Sequence, residues 1–152
     1  MKKLEITAFE LAQRFMHTKE IQGKVANPQI MAMLNLDAKW PEDDSVPWCS
    51  GFVNYICWML RLPRSKSLLA RSWLGIGAAV TATPEVGFDV VILKRGTGKQ
   101  PGPEILDAPG HVGFFGGYVG GKVQVLGGNQ NDEVSLSPYS IDRILSIRRL
   151  YG

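Results

Sequence analysis

The chain of 152 residues carries only two cysteines and two histidines, and that scarcity excludes much. Cys49 and Cys57 lie eight residues apart in one apolar stretch, so as helix positions they are about 12 Å apart along the axis. A disulfide needs Cα atoms within about 7 Å, so free thiols are expected. Zinc takes three or four Cys, His or carboxylate ligands, and no CxxC or HExxH spacing supplies them, so no metal or organic cofactor is expected. No GxSxG elbow suggests a serine hydrolase, and no glycine-rich stretch has the lysine spacing of a phosphate-binding loop. No run approaches the roughly 18 apolar residues of a membrane span, so no stable membrane insertion is expected. Dense Lys/Arg clusters with interleaved aromatics are missing as well, which argues against nucleic acid as a partner.

What remains is an ordinary globular composition, 45% hydrophobic and 20% charged. Its length suits one domain that buries roughly two-thirds of its unfolded surface. There is no internal repeat and no linker, so residues 1–152 are read as a single unit and a monomer is the default. Residues 1–46 form its helical N-terminal part, and residues 47–152 a cysteine-bearing helix plus a sheet. A net charge of +3 and a pI near 9.0 would favour approach to an anionic envelope. Met1-Lys2-Lys3 begins like a signal peptide, but Glu5, Glu10 and Arg14 interrupt the apolar region such a peptide needs. A cytoplasmic location as synthesised is the expectation.

Helical signals come first along the chain. Thr7 with Glu10 three residues on makes a capping box for a helix over Thr7 to Phe15, with His17 solvated at its end. Asn27-Pro28 starts a second helix. After the polar loop 40–47, Phe52, Val53, Ile56 and Leu60 mark one stripe of a third helix beginning at Cys49. Cys57 beside that stripe reads as a small core residue. Strand signals follow at Asp89 to Leu93, His111 to Tyr118, Lys122 to Leu126, Glu133 to Leu136 and Ile144 to Leu150, with a surface loop over 96–109. Helices followed by an antiparallel sheet predict an α+β fold.

The chemistry concentrates at Cys49 and His111. A thiol at a helix N-terminus sits under unpaired N–H groups and the positive end of the helix dipole, which favours the thiolate. A base is then needed, and His111 at the mouth of a strand can supply it. A hairpin around Val119-Gly120-Gly121 lets the partner of His111 be derived. A three-residue loop makes opposed positions sum to 240 and sets Asn129 opposite His111. A two-residue Gly120-Gly121 turn shifts the register toward Gln130, and Gly127-Gly128 is a place for a bulge. Either amide can orient the imidazole; Asn129 is favoured, with Gln130 kept as a substrate contact or as the alternative third residue. Asp44, with Asp43 in the loop before Cys49, is a candidate to contact substrate or brace that loop. Trp48 and Trp73, with Trp40, are candidate aromatics for stacking on sugars, and Trp73, in a helix-like stretch, is equally suited to the core.

Four strings in this order, Pro47-Trp48-Cys49-Ser50-Gly51-Phe52-Val53-Asn54, Ala70-Arg71-Ser72-Trp73-Leu74, Gly110-His111-Val112-Gly113-Phe114 and Leu126-Gly127-Gly128-Asn129-Gln130, resemble the small NlpC/CHAP-like cysteine peptidases common in phage lysis cassettes and prophages. The likeness extends from about residue 18 to the C-terminus. It implies a papain-like domain, helices packed on an antiparallel sheet, that cuts an amide or peptide bond of bacterial peptidoglycan. By position, Cys49 would be the nucleophile, His111 the general base and Asn129 the orienting residue. Many CHAP-type domains carry a glutamate two residues before that asparagine, where this chain has Gly127.

The expected function is therefore a thiol-dependent peptidoglycan hydrolase, a phage endolysin acting on the wall after release or delivery. An injected antibacterial effector is the alternative within the same chemistry. A wall-binding module on a degenerate peptidase fold is the alternative outside it.

Overall fold

The computed structural model describes residues 1–22, 26–37 and 47–151. Three α-helices come first, α1 (Ala8–Gln13), α2 (Pro28–Leu34) and α3 (Cys49–Leu60). A 3₁₀ segment, Ala70–Gly75, leads into six strands: β1 (Ala78–Ala79), β2 (Asp89–Lys94), β3 (Gly110–Val119), β4 (Lys122–Gln130), β5 (Glu133–Ser140) and β6 (Ile144–Arg149). All pair antiparallel, in the spatial order β1-β6-β2-β3-β4-β5.

The helices form where local chemistry asks for them. The Thr7 side chain accepts from the Glu10 N–H and the Glu10 carboxylate accepts from the Thr7 N–H, a reciprocal cap on α1 that contributes about 1 kcal/mol. Asn27 caps α2, with Pro28 at its first position. The longest helix, α3, ends at Arg61 in the left-handed conformation, and its Trp48 N-cap provides no capping side chain. The first turn of α3 thus keeps its N–H groups for other work.

The sheet is two-faced, as period-two alternation requires. Val90, Ile92, Val112, Phe114 and Leu126 pack against Phe52, Val53 and Ile56 of α3 in the main core. Val91, Leu93, Phe115, Val123 and Val125 form a second cluster. Burying side chains such as Phe52, Ile56 and Ile92, each 0% exposed, contributes about 1.5–3 kcal/mol apiece. Asp89, 1% exposed, joins β2 to β6 through a two-pronged pair with Arg149, at 2.7 and 2.8 Å.

Register within the hairpins decides the site. β3 and β4 meet in the two-residue turn Gly120-Gly121, both at positive φ, with Val119 opposite Lys122; the expected three-residue loop is corrected. A bulge at Gly116-Gly117 then restores the sum of 240, so that Phe114 faces Leu126. A second irregularity lies between Gly127 and Gln130, where Asn129 takes a φ of +55°. β4 and β5 turn through Asn131-Asp132, again with two positive φ values, the twist that right-handed hairpins prefer. β5 is an edge strand, which explains how it tolerates Pro138.

Candidate active site

Cys49 opens α3 and His111 follows Gly110 at the start of β3; both are buried, 2% and 5% exposed. The two come together through the packing of α3 on the sheet. Burial is the largest influence on the Cys49 thiol and pushes its pKa up. The hydrogen bond and charge of His111, the Val112 N–H and the charge of Arg95 together outweigh it, and the thiol lies below its ordinary value. Cys57, one side of the same helix further in, has none of this. Burial pushes it up to about 12, opposed only by Arg64, and it is a core residue.

The imidazole is held by Gln130, with His111 Nε2 and Gln130 Oε1 at 2.9 Å. The amide cannot be turned round. Its Nε2 donates to the Ser135 carbonyl at 2.7 Å, the Ser135 hydroxyl at 3.0 Å and the Val125 carbonyl at 3.2 Å. A reversed amide would set an oxygen against two carbonyl oxygens. Oε1 therefore accepts from both His111 Nε2–H and the Tyr139 hydroxyl, the latter at 3.0 Å. The neutral ring is fixed as the Nε2–H tautomer, and Nδ1 is left with its lone pair for the thiol proton. Tyr139 also lies along the imidazole, ring centroids 5.4 Å apart. Burial and the charge of Cys49 push its phenol up to about 12, so it stays protonated and donating.

Asn129 is not the partner of the imidazole. Its left-handed backbone at the β4 irregularity makes it the position where regular alternation breaks, and the next residue, Gln130, carries its amide inward. Asn129 instead lines a small pocket beside His111. Gln130, 4% exposed and saturated by chain groups, is an orienting residue rather than a substrate contact. Gly127 completes the arrangement. A Cβ there would lie 2.9 Å from Gln130 Oε1 and 3.2 Å from His111 Nε2, so the missing side chain is what admits the amide.

The two described tryptophans proposed as sugar platforms are corrected: both are 0% exposed. Trp48 donates its indole N–H to Glu20 at 2.8 Å, and Trp73 donates to the Ser50 hydroxyl at 2.9 Å. Large rings with one polar atom satisfied internally are core anchors. Asp44, like Asp43 and Trp40, lies outside the described residues.

An open, mostly apolar cleft of about 490 Å³ runs past Cys49, lined by Leu68, Leu69, Ala70, Arg95, Asp107 and Pro109 among others. Two buried polar residues shape its walls. Asn54 donates to the Ser67 carbonyl at 3.2 Å and accepts from the Lys66 N–H at 3.0 Å, anchoring the loop that carries Leu68. Arg71, 0% exposed, donates to the carbonyls of Pro101, Gly102, Ile105 and Pro109 at 2.7–3.0 Å, and so folds the opposite wall over residues 101–109. Sequence reasoning placed both residues in motif strings without seeing these roles. No local signal marks Arg71, whose acceptors lie 30–38 residues further along the chain. Among the described residues, no group of three His, Cys, Asp or Glu side chains is placed to hold a metal ion. Nor is any helix there long and apolar enough to cross a membrane.

A thiol with a lowered pKa, a base of fixed tautomer and a free helix N-terminus at the edge of an open cleft can transfer an acyl group through sulfur. No family model and no curated protein matches the chain by sequence. Among solved structures it is similar to NlpC1 from Trichomonas vaginalis, with a TM-score of 0.58 and 15% identity. The similarity covers 99% of this chain and 47% of that one, so the chain spans less than half of that protein's length. At this level of identity the likeness is one of architecture: the α+β fold is NlpC-like.

Proposed function

We propose that the protein is a papain-like cysteine hydrolase that cuts an amide or peptide bond of bacterial peptidoglycan, of the phage endolysin type. The observation that carries the chemistry is the line Cys49, His111, Gln130, in which Gln130 fixes the imidazole with Nδ1 toward the thiol. His111 takes the proton from Cys49, and the thiolate attacks the carbonyl carbon. The Cys49 N–H at the uncapped start of α3 stabilises the oxyanion. The imidazolium gives its proton to the departing amine, leaving a thioester on Cys49. Water, deprotonated by His111, then releases the acyl group as a carboxylic acid and restores the thiol.

The wall as substrate is supported by the four motif strings, the NlpC-like fold and the net charge of +3. The protein acts on the wall after release or delivery from the cytoplasm. The reading is tested by clearing of a suspension of purified Gram-negative peptidoglycan under reducing conditions. Wild type clears it and Cys49→Ala does not; equal clearing by the two proteins, or none by wild type, contradicts the proposal.

A further inference from the structure

Arg95 follows the last residue of β2 and, among the described residues, is the cation that lines both the main cleft with Cys49 and a smaller pocket beside His111. Several other arginines are committed to the fold. Arg71, Arg143 and Arg148 donate to backbone carbonyls, and Arg149 pairs with Asp89. Arg95 is exposed, and among the described residues it makes neither a hydrogen bond nor an ion pair. Asp107, the one acidic residue lining the cleft among the described residues, is not within ion-pair distance of it.

The segment that carries Arg95 is nevertheless fixed. Arg143 donates to the Lys94 carbonyl and the Gly96 carbonyl, each at 3.0 Å, and so pins the chain on both sides of residue 95. The small pocket, about 130 Å³, is lined by Lys94, Arg95, His111, Asn129, Tyr139 and Arg143. Among the described residues it gathers three basic side chains and no carboxylate. A concentration of one sign of charge on a braced backbone, with an unspent guanidinium at its mouth, is a receptor for an anion.

We infer that Arg95, with Lys94 and the bracing Arg143, forms a carboxylate subsite beside His111, and that the substrate is a peptide with a free carboxylate near the scissile amide. This rests on the thiol hydrolase reading above. Because His111 protonates the departing amine, the carboxylate belongs to the residue on the amine side of the bond. The guanidinium takes it in a two-pronged hydrogen bond, which a lysine could not reproduce. Arg95 is thus a specificity residue that also holds the departing residue next to the proton donor.

The test compares alkylation of Cys49 by iodoacetate, which carries a carboxylate, with alkylation by neutral iodoacetamide of nearly the same shape. Both reagents consume the same thiolate, so the ratio of their rate constants cancels any change in thiol pKa. Arg95→Gln is expected to lower the iodoacetate-to-iodoacetamide ratio about tenfold at low salt, and Arg95→Lys to fall between. Arg14→Gln, remote in sequence, leaves the ratio unchanged. An unchanged ratio in Arg95→Gln, with Cys49 still labelled by iodoacetamide, overturns the subsite alone. Failure of both reagents to label Cys49 in the wild type overturns the thiol reading, and the subsite with it.

Discussion

The side-chain amide of Gln130 occupies the space that a side chain on Gly127 would need. A Cβ on Gly127 would come within 2.9 Å of Gln130 Oε1. The orienting group arrives from three residues later, past an irregularity in β4 and the left-handed Asn129. Gly127 and Gln130 are in this sense one feature: the absence of a side chain at the first is the condition for the reach of the second.

Gly127→Ala should therefore uncouple the imidazole from its partner without unfolding the sheet. The added methyl displaces the amide by a few tenths of an ångström or more, and activity should fall by about tenfold to a hundredfold. Release of soluble wall fragments, alongside a melting curve that stays cooperative, checks this.

Gln130→Ala removes the acceptor for Nε2–H and should cost on the order of a hundredfold in the same assay, because the wrong tautomer becomes available. Tyr139→Phe deletes only the second donor to Oε1, at 3.0 Å, and should cost several-fold at most. The ranking of the two variants is the point of the comparison.

The thiol has a definite pH signature. Thiolate is the charged form, so a pKa below the ordinary value carries reactivity down to lower pH. His111→Ala removes the hydrogen bond and charge that oppose burial. The midpoint of iodoacetamide labelling at Cys49 should move upward in that variant. Cys57, pushed up to about 12, should stay unlabelled in both proteins through neutral pH.

Arg71 offers a stability prediction. Arg71→Ala leaves the carbonyls of Pro101, Gly102, Ile105 and Pro109 without their donor, at a cost of about 3 kcal/mol or more. Denaturant unfolding measures it. Arg71→Lys should recover little, since one ammonium cannot serve four acceptors spread along the loop.

Much of this was legible in the amino-acid sequence because local signals carry their own physics. The Thr7 and Asn27 caps, the helix starting at Cys49 and the buried strand from Asp89 all announce themselves by residue type and spacing. The position of His111 beside Cys49 was inferred from chemistry rather than pattern. What stayed hidden depended on non-local register. Two departures from regular pairing, at Gly116-Gly117 and between Gly127 and Gln130, decide that Gln130 and not Asn129 meets the imidazole. Their sum cannot be read from a run of glycines. The burial of Trp48 and Trp73 depended likewise on partners far along the chain, Glu20 and Ser50. Arg71 was invisible for the same reason: its acceptors lie 30–38 residues away.

The most direct test of the account is mass spectrometry of soluble fragments released from purified Gram-negative peptidoglycan by wild type and by Cys49→Ala under reducing conditions. The account predicts one new pair of termini, an acid and an amine at a single amide, made by wild type alone. The same fragments from Cys49→Ala, or wall binding by both proteins with no bond cut by either, would contradict it.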